Sequence, residues 1–551
     1  MEMYCRQCEQ TAAGRACQMK GVCGKTPEAA AWQDLLVYSL IGLAAYGRII
    51  REHALTDREA ERLIVKGLFA TVTNVNFDPE KLKGLVEQID QSKEKLRADL
   101  WKKGARIEFS SQCLKAAAEW TIPADREVLS HARAVALPEI LGRDEEIRSL
   151  REIMLYGLKG MAAYADHAAI LGHRQEKVNA FLIRGLCSLL EDLSPADYLT
   201  LIMELGQTNL ACMELLDAAH TGHFGHPVPT KVWLGKHKGP AILISGHDLY
   251  DLQQLLQQTE GRGIWIYTHG EMLPAHGYPG LKKYPHLVGH YGTAWQNQQK
   301  EFDEFPGAIL MTTNCLQKPR DSYQERIFTT GVVGWPGVVH IGEKDGRKDF
   351  SQVIEKALSC GGFPEEIDGP NLTVGFGHHT LAQAAGEIIK AHQEGKIRHL
   401  FLIGGCDGAR PGRNYYTELA RMVPDDCLIL TLACGKFRFN HLQFGSIGPF
   451  PRLLDCGQCN DAYSAIKTVV ELAGILKKGV NELPVSLVLS WYEQKAVVIL
   501  LTLLSLGVRN IRLGPTLPAF VSPGIWKVLQ EKFQLRAITT PENDLSEILG
   551  R

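Results

Sequence analysis

The chain has 551 residues, more than one hydrophobic core can hold, so three or four domains are expected. Its 45% hydrophobic and 22% charged residues are those of an ordinary globular protein. The 60 Lys plus Arg against 62 Asp plus Glu leave no positive excess to drive binding to nucleic acid or anionic lipid. Small, nearly neutral partners are favoured.

The first ten residues, MEMYCRQCEQ, show no basic segment followed by an apolar one, and no apolar window is long and uninterrupted enough to span a bilayer. A cytoplasmic location is expected, with no membrane contact. In that reducing compartment the 14 cysteines point to metal binding or redox chemistry where they cluster, and not to a disulfide framework. Cys5, Cys8, Cys17 and Cys23 form such a cluster, with spacing C-x2-C-x8-C-x5-C. Four thiolates on one loop-like segment close around an ion at little ordering cost. Spacing alone leaves a structural zinc and an iron–sulfur cluster both open.

Residues 32–52 and 153–172 are helical in period and share a pattern. Tyr38, Leu40, Gly42, Ala44, Ala45 and Tyr46 return as Tyr156, Leu158, Gly160, Ala162, Ala163 and Tyr164, a constant offset of 118 that also relates Lys66-Gly67-Leu68 to Arg184-Gly185-Leu186. An internal duplication is the economical reading. Each copy continues into a second helix and, after Asp78-Pro79 or Ser194-Pro195, a third, giving two related three-helix bundles. The repeated small residues are read as close-packing positions. His220, His223 and His226, in HTGHFGHPVP, are read as a solvated linker in preference to a metal site.

From residue 231 onward strands alternate with helical segments such as 249–258, the rhythm of parallel-sheet domains. The reading divides the chain into 1–225, holding the cysteine segment and the two bundles, and two Rossmann-like domains at 226–368 and 369–551. Neither sheet domain carries GxGxxG or GxxxxGK[ST], so no nucleotide cradle is supported.

What recurs in them is a chemically competent side chain at the end of an apolar run. IRHLFLIGGCDGA at 397–409 sets Cys406 after a strand. AILISGHD does so for His247, IWIYTHGE for Glu271, GAILMTTNC for Cys315, LILTLACGK for Cys434, and VSLVLSWYEQK for Glu493 and Lys495. Ligands bind outside the carboxyl ends of strands in open α/β sheets, because side chains from several strands converge there. Cys459 joins the set from Cys456-Gly-Gln-Cys459, whose C-x-x-C spacing also fits a dithiol or half a zinc site. Thiolates suit iron–sulfur chemistry and carboxylates are hard donors, so a mixed set suits a cluster with sulfide at one end and oxygen at the other. Cys113, Cys187, Cys212, Cys360 and Cys427 are read as buried small hydrophobes. His378 and His379, in VGFGHHT, are read either as proton donors behind the ligands or as structural residues.

These motifs resemble the hybrid cluster protein family, also called prismane protein or hydroxylamine reductase. The likeness rests on GHDL at Gly246, YTHGEMLPAHGYP at Tyr267, TTNC at Cys315, GGCDGARPGRNYYTE at Gly404, LACGKFRFN at Leu432, GQCNDAYSA at Gly457 and SWYEQKA at Ser490, and it spans the chain. The resemblance implies a multidomain α plus α/β fold of duplicated three-helix bundles followed by two Rossmann-like domains, an arrangement shared with nickel carbon monoxide dehydrogenases. It implies that Cys5, Cys8, Cys17 and Cys23 hold a [4Fe-4S] cluster. His247, Glu271, Cys315, Cys406, Cys434, Cys459 and Glu493 are implied to hold a hybrid [4Fe-2O-2S] cluster, with a persulfide at Cys406 and Lys495 beside it; Cys456 matches no ligand. The implied reaction is two-electron reduction of hydroxylamine to ammonia and water. Its protons are expected from Glu493, Glu271, Lys495 or His247, and its electrons from a separate donor protein, since no flavin or nicotinamide fingerprint is present. Nitric oxide reduction or protein S-nitrosylation in nitrosative stress, and a non-enzymatic redox sensor or electron carrier, are the rival readings.

Overall fold

The computed structural model describes residues 3–122 and 144–550, together with 132, 135, 141 and 142. Its N-terminal part is helical: α1 (Pro27–Glu52), α2 (Arg58–Ala70), α3 (Pro79–Lys102), the short α4 (Gln112–Glu119), α5 (Glu145–Ile170), α6 (Glu176–Ser188) and α7 (Pro195–Phe224). The duplication is visible in the helix limits. Both ends of α5 lie 118 residues beyond those of α1, and both ends of α6 lie 118 beyond those of α2. The starts are capped as their sequences dictate. Thr26 and Asp78 accept backbone N–H groups ahead of Pro27 and Pro79, and Ser194 forms a capping box with Asp197 ahead of Pro195.

The repeated glycines serve close packing. A Cβ on Gly67 would come within 2.9 Å of Leu40, and one on Gly185 within 2.7 Å of Leu158, so the same pair meets in each copy. Gly42 and Gly160 diverge in their partners. The first presses on the Ala117 carbonyl of α4; the second presses on the Gln494 carbonyl, at the start of the helix Gln494–Ser505. The second copy is thereby seated on the element that follows Glu493.

The first sheet contains β1 (Thr230–Trp233), β2 (Ala241–Ser245), β3 (Trp265–His269), β4 (Leu287–His290), β5 (Ala308–Met311), β6 (Ile327–Thr330) and β7 (Val339–Ile341). A hairpin of β8 (Glu343–Lys344) and β9 (Arg347–Lys348) follows, and then β10 (Asn371–Val374). The order is β10-β1-β4-β3-β2-β5-β6-β7, parallel except where β10 runs against β1. The sequence rhythm groups 371–374 with the second sheet, and the structure corrects this. Only Leu372 and Val374 of that strand are buried, the alternation of an edge strand with one solvated face.

The second sheet is wholly parallel, in the order β15-β12-β11-β16-β17-β18. Its strands are β11 (His399–Gly405), β12 (Cys427–Thr431), β15 (Leu453–Asp455), β16 (Val485–Ser490), β17 (Arg512–Gly514) and β18 (Arg536–Ala537); a hairpin of β13 (Ser446–Ile447) and β14 (Phe450–Pro451) precedes β15. β2, β5 and β12 are buried along their whole length, as continuous apolar runs require when both sheet faces are covered. In the first sheet the strand order reverses around β2, and in the second around β11. Crevices open at such reversals.

Two expectations about histidines and cysteines change. His220 and His223 belong to α7, which runs to Phe224 before Gly225 caps it, so the linker starts later than the glycines suggest. His220 is buried against Phe224 and Tyr278. Cys187, Cys212 and Cys427 are buried, whereas Cys113 is exposed and Cys360 half-buried. Among the described residues no helix is long and apolar enough to cross a membrane.

Candidate metal centre

Every strand-end residue singled out from the sequence sits just beyond a strand of one of the two sheets. His247 follows β2, Glu271 β3 and Cys315 β5; Cys406 follows β11, Cys434 β12, Cys459 β15 and Glu493 β16. All seven line one small cavity between the two sheets. The backbone turns that aim them are tight. Gly246 has φ +111°, and a Cβ there would strike Thr312 Oγ1; Gly405 has φ +104°, and a Cβ there would strike the Ser490 carbonyl. Ala433 holds φ 63° and ψ −178°, a region that costs a side-chain-bearing residue about 1–3 kcal/mol, and it delivers Cys434 into the cavity.

Contacts between the sheets hold the donors together. His247 Nδ1 donates to Thr313 Oγ1 at 2.9 Å, leaving Nε2 3.3 Å from Cys459 Sγ and 3.9 Å from Glu271 Oε2. The ligand atoms of His247, Glu271 and Cys459 all fall within 4.8 Å of one another. Glu271 Oε2 accepts from the Cys459 N–H at 2.8 Å. Cys434 Sγ accepts from the Asp407 N–H at 2.9 Å. Lys495 Nζ donates to His247 Nε2 at 3.1 Å and to Asn314 Oδ1 at 3.3 Å, and lies 3.8 Å from Glu493 Oε1.

Burial dominates the electrostatics. It pushes the Cys406 thiol up to about 12 and the thiols of Cys315, Cys434 and Cys459 well above their ordinary value. It also raises the carboxyls of Glu271 and Glu493, though nearby Lys436 and Lys495 oppose this. His247 is driven well below the usual imidazole value by burial and by Lys495, so it is a neutral donor. Burial works against the Lys495 ammonium, yet Cys459 and Glu493 outweigh it and hold the group above its ordinary value.

Four cysteine sulfurs, a neutral imidazole and two carboxyl groups, the sulfurs binding as thiolates once their protons are released, fit a metal group with room for soft and hard donors. Glu271 Oε1 supports this fit: it is buried with no hydrogen-bond partner, a costly state that a cation relieves.

At the N-terminus Cys5 and Cys17 exchange backbone hydrogen bonds of 3.1 and 2.8 Å, closing the loop on itself. Buried Lys25 places Nζ 3.9 Å from Cys5 Sγ, a cation set against the thiol group. This segment is latched to the strand-end site: Gln494 Nε2 donates to the Gln7 carbonyl at 2.6 Å, and the Glu9 N–H donates to Tyr492 O at 3.0 Å. Cys8, Tyr492, Cys406 and Cys434 share one apolar cluster.

The remaining candidates fall outside the cavity. Cys456 is buried in the apolar core, so the C-x-x-C pair is split between core and site. His378 pairs with Ser464 and Asp217, and His379 with Gln383, which favours their structural reading. Sequence reasoning missed Gln458, between the two cysteines of that pair; its amide donates to the carbonyls of Glu271 at 2.6 Å and His247 at 3.4 Å, pinning one sheet to the other. It also missed Lys436, whose Nζ joins Asp455 and the Gly457 carbonyl to fix the ends of β12 and β15. Both lie inside quoted motifs, which was the available signal.

Facing parallel sheets that pool thiols, carboxylates and an imidazole at their strand ends define a redox metalloprotein with a mixed donor set. The chain belongs to the Prismane/CO dehydrogenase family, whose family model matches residues 3–546. Hydroxylamine reductases of Syntrophobacter fumaroxidans and Methanocella arvoryzae are each 54% identical to it, and that of Geobacter metallireducens 52%, each alignment covering 100% of both chains. Among solved structures it is similar to carbon monoxide dehydrogenase from Thermococcus sp. AM4, with TM-score 0.53 at 17% identity, covering 100% of this chain and 90% of that one. Carbon Monoxide Dehydrogenase IV from Carboxydothermus hydrogenoformans gives 0.54 at 15%, covering 100% and 92%. These two matches establish the fold. Family membership and the grouped cysteines together imply iron–sulfur clusters.

Proposed function

We propose that the protein reduces hydroxylamine to ammonia and water, consuming two electrons and two protons per turnover. The observation that carries this reading is the convergence of seven donors from two sheets on one buried cavity, in a chain whose full-length relatives bear that activity's name. Cys5, Cys8, Cys17 and Cys23 would hold a [4Fe-4S] cluster. His247, Glu271, Cys315, Cys406, Cys434, Cys459 and Glu493 would hold the hybrid [4Fe-2O-2S] cluster, with the Cys406 sulfur as its exchangeable persulfide. When bound, the hybrid group supplies electrons and Lewis acidity for cleaving the N–O bond.

The chain supplies the rest. Lys495, kept protonated and 3.8 Å from Glu493 Oε1, would donate a proton to the departing oxygen and be reloaded through Glu493. His247 is oriented by Thr313, and Glu271 by the Cys459 N–H, so neither reorganises during turnover. The cysteine segment within 1–225 receives electrons from a separate donor protein, and the first sheet contributes three of the strand-end donors and the second sheet four.

A second reading, nitric oxide reduction, is favoured by one feature. An apolar cavity lined by Leu402, Leu432, Ile466, Leu489 and Leu500 also reaches Cys406 and Cys459, a surface suited to a weakly hydrated molecule. Anaerobic ammonia release from hydroxylamine, driven by a reduced dye, tests the main proposal. Native protein is expected to turn over, and Cys406→Ala and Glu493→Ala at matched iron content to lose turnover while the N-terminal cluster's spectrum persists. Iron-replete native protein that releases no ammonia would move nitric oxide chemistry ahead.

A further inference from the structure

The two cysteine sets are joined by an arginine that belongs to neither. Arg413 is 1% exposed. Its Nη1 donates to the Cys406 carbonyl at 3.1 Å and to Ser490 Oγ at 2.6 Å; its Nη2 donates to the Trp491 carbonyl at 3.0 Å and to Glu9 Oε2 at 3.1 Å. These acceptors lie on three segments: the residue after Cys8, the backbone of Cys406, and the end of β16 that leads to Glu493. The Glu9 side chain is fully buried, so neither partner has solvent to fall back on. A Cβ on Gly408 would come within 3.0 Å of Arg413 Nε, so the guanidinium is packed in place as well as bonded. A planar fork reaches four acceptors in fixed directions, which an ammonium does not.

We propose that Arg413 is a positioning residue that couples the two sites. Through the Glu9–Arg413 pair, the placement of the N-terminal segment sets the orientation of the Cys406 loop, and with it the passage of electrons from the first set to the second. The inference rests on the two-cluster reading given above. Displacement of a reacting group by a fraction of an ångström is enough to matter at such a site.

The test uses iron-replete, anaerobically purified native protein, Glu9→Gln, Arg413→Lys, Arg413→Gln and the double variant Glu9→Gln/Arg413→Gln. Each is reduced with dithionite and mixed with hydroxylamine in a stopped-flow spectrometer, alongside amide hydrogen exchange over residues 405–408. Reoxidation of the N-terminal cluster is expected to slow by about 10- to 100-fold in Glu9→Gln and Arg413→Gln with KM for hydroxylamine unchanged. The double variant should be no slower than the worse single, and Arg413→Lys should recover part of the rate. Exchange at 405–408 should rise in Glu9→Gln although that change lies at the other cysteine set. Native rate and native exchange in iron-replete Glu9→Gln would overturn the proposal, as would losses that follow iron content alone. Should Arg413→Gln fail to fold, the isosteric Glu9→Gln decides by itself. Native protein without ammonia release would instead refute the reductase reading, and the exchange experiment would still test the coupling.

Discussion

The N-terminal cysteines and the strand-end side chains are brought together in opposite ways. Cys5 to Cys23 lie on one short loop closed by its own backbone hydrogen bonds, so that set is a local property of the chain, with a small loop-closure cost. The strand-end set runs from His247 to Glu493 and exists only when two sheets have formed and met, with Gln458 and Lys495 bridging them. A loop site tolerates a disturbed fold, and a strand-end site reports it. In return, the strand ends place a mixed set of donors with the precision of rigid elements.

Substitutions that disturb the sheets should therefore separate the two sites. The largest effect is expected from Gly405→Ala, where positive φ and the Ser490 carbonyl both oppose a Cβ. A loss of about 2–4 kcal/mol in denaturant unfolding is expected, with iron lost from the strand-end site while the N-terminal cluster's spectrum remains. Equal loss from both sites would break the contrast.

Glu271→Gln keeps shape and removes a charge that faces the cavity. Turnover should fall by about 10- to 100-fold, measured as ammonia release, with the N-terminal spectrum unchanged. Next come the paired glycines of the duplication. Gly160→Ala and Gly42→Ala should each cost about 1–3 kcal/mol in thermal or chemical unfolding. Only Gly160→Ala should also reduce turnover, because Gln494, the carbonyl it strikes, stands between Glu493 and Lys495.

The smallest effect concerns a cysteine of neither set. Burial pushes the Cys212 thiol from 9.0 up to about 12. Its folded pKa is raised, so its contribution to stability is full below pH 9 and is lost as pH rises toward 12. Cys212→Ala should cost about 1 kcal/mol at neutral pH and leave both sites loaded. The apo form of the variant should also show a shallower decline in stability across the alkaline window than the native apo protein.

The sequence made the strand-end donors legible because each follows an apolar run, a pattern local to the chain. The duplication was legible too, since Leu40 with Gly67 and Leu158 with Gly185 repeat in type and spacing. Arg413, Gln458 and Lys436 escaped because their partners lie on segments remote in sequence, which no local pattern encodes. Gly222 and Gly225 suggest a break at His220 and His223 that the structure does not contain. Nothing crowds Gly222, and the helix simply continues through it until Gly225. The rhythm groups residues 371–374 with the later strands, whereas β10 pairs with β1 as an edge strand with one solvated face, which rhythm does not reveal.

Seven residues from two sheets are proposed to hold one iron site distinct from the N-terminal set. Anomalous diffraction at the iron edge, from anaerobically grown crystals of the purified protein, tests it most directly. Two separate iron positions are expected. One should lie within bonding distance of Cys5, Cys8, Cys17 and Cys23, and the other of His247, Glu271, Cys315, Cys406, Cys434, Cys459 and Glu493. Iron confined to the N-terminal cysteines in fully loaded, active protein would contradict it.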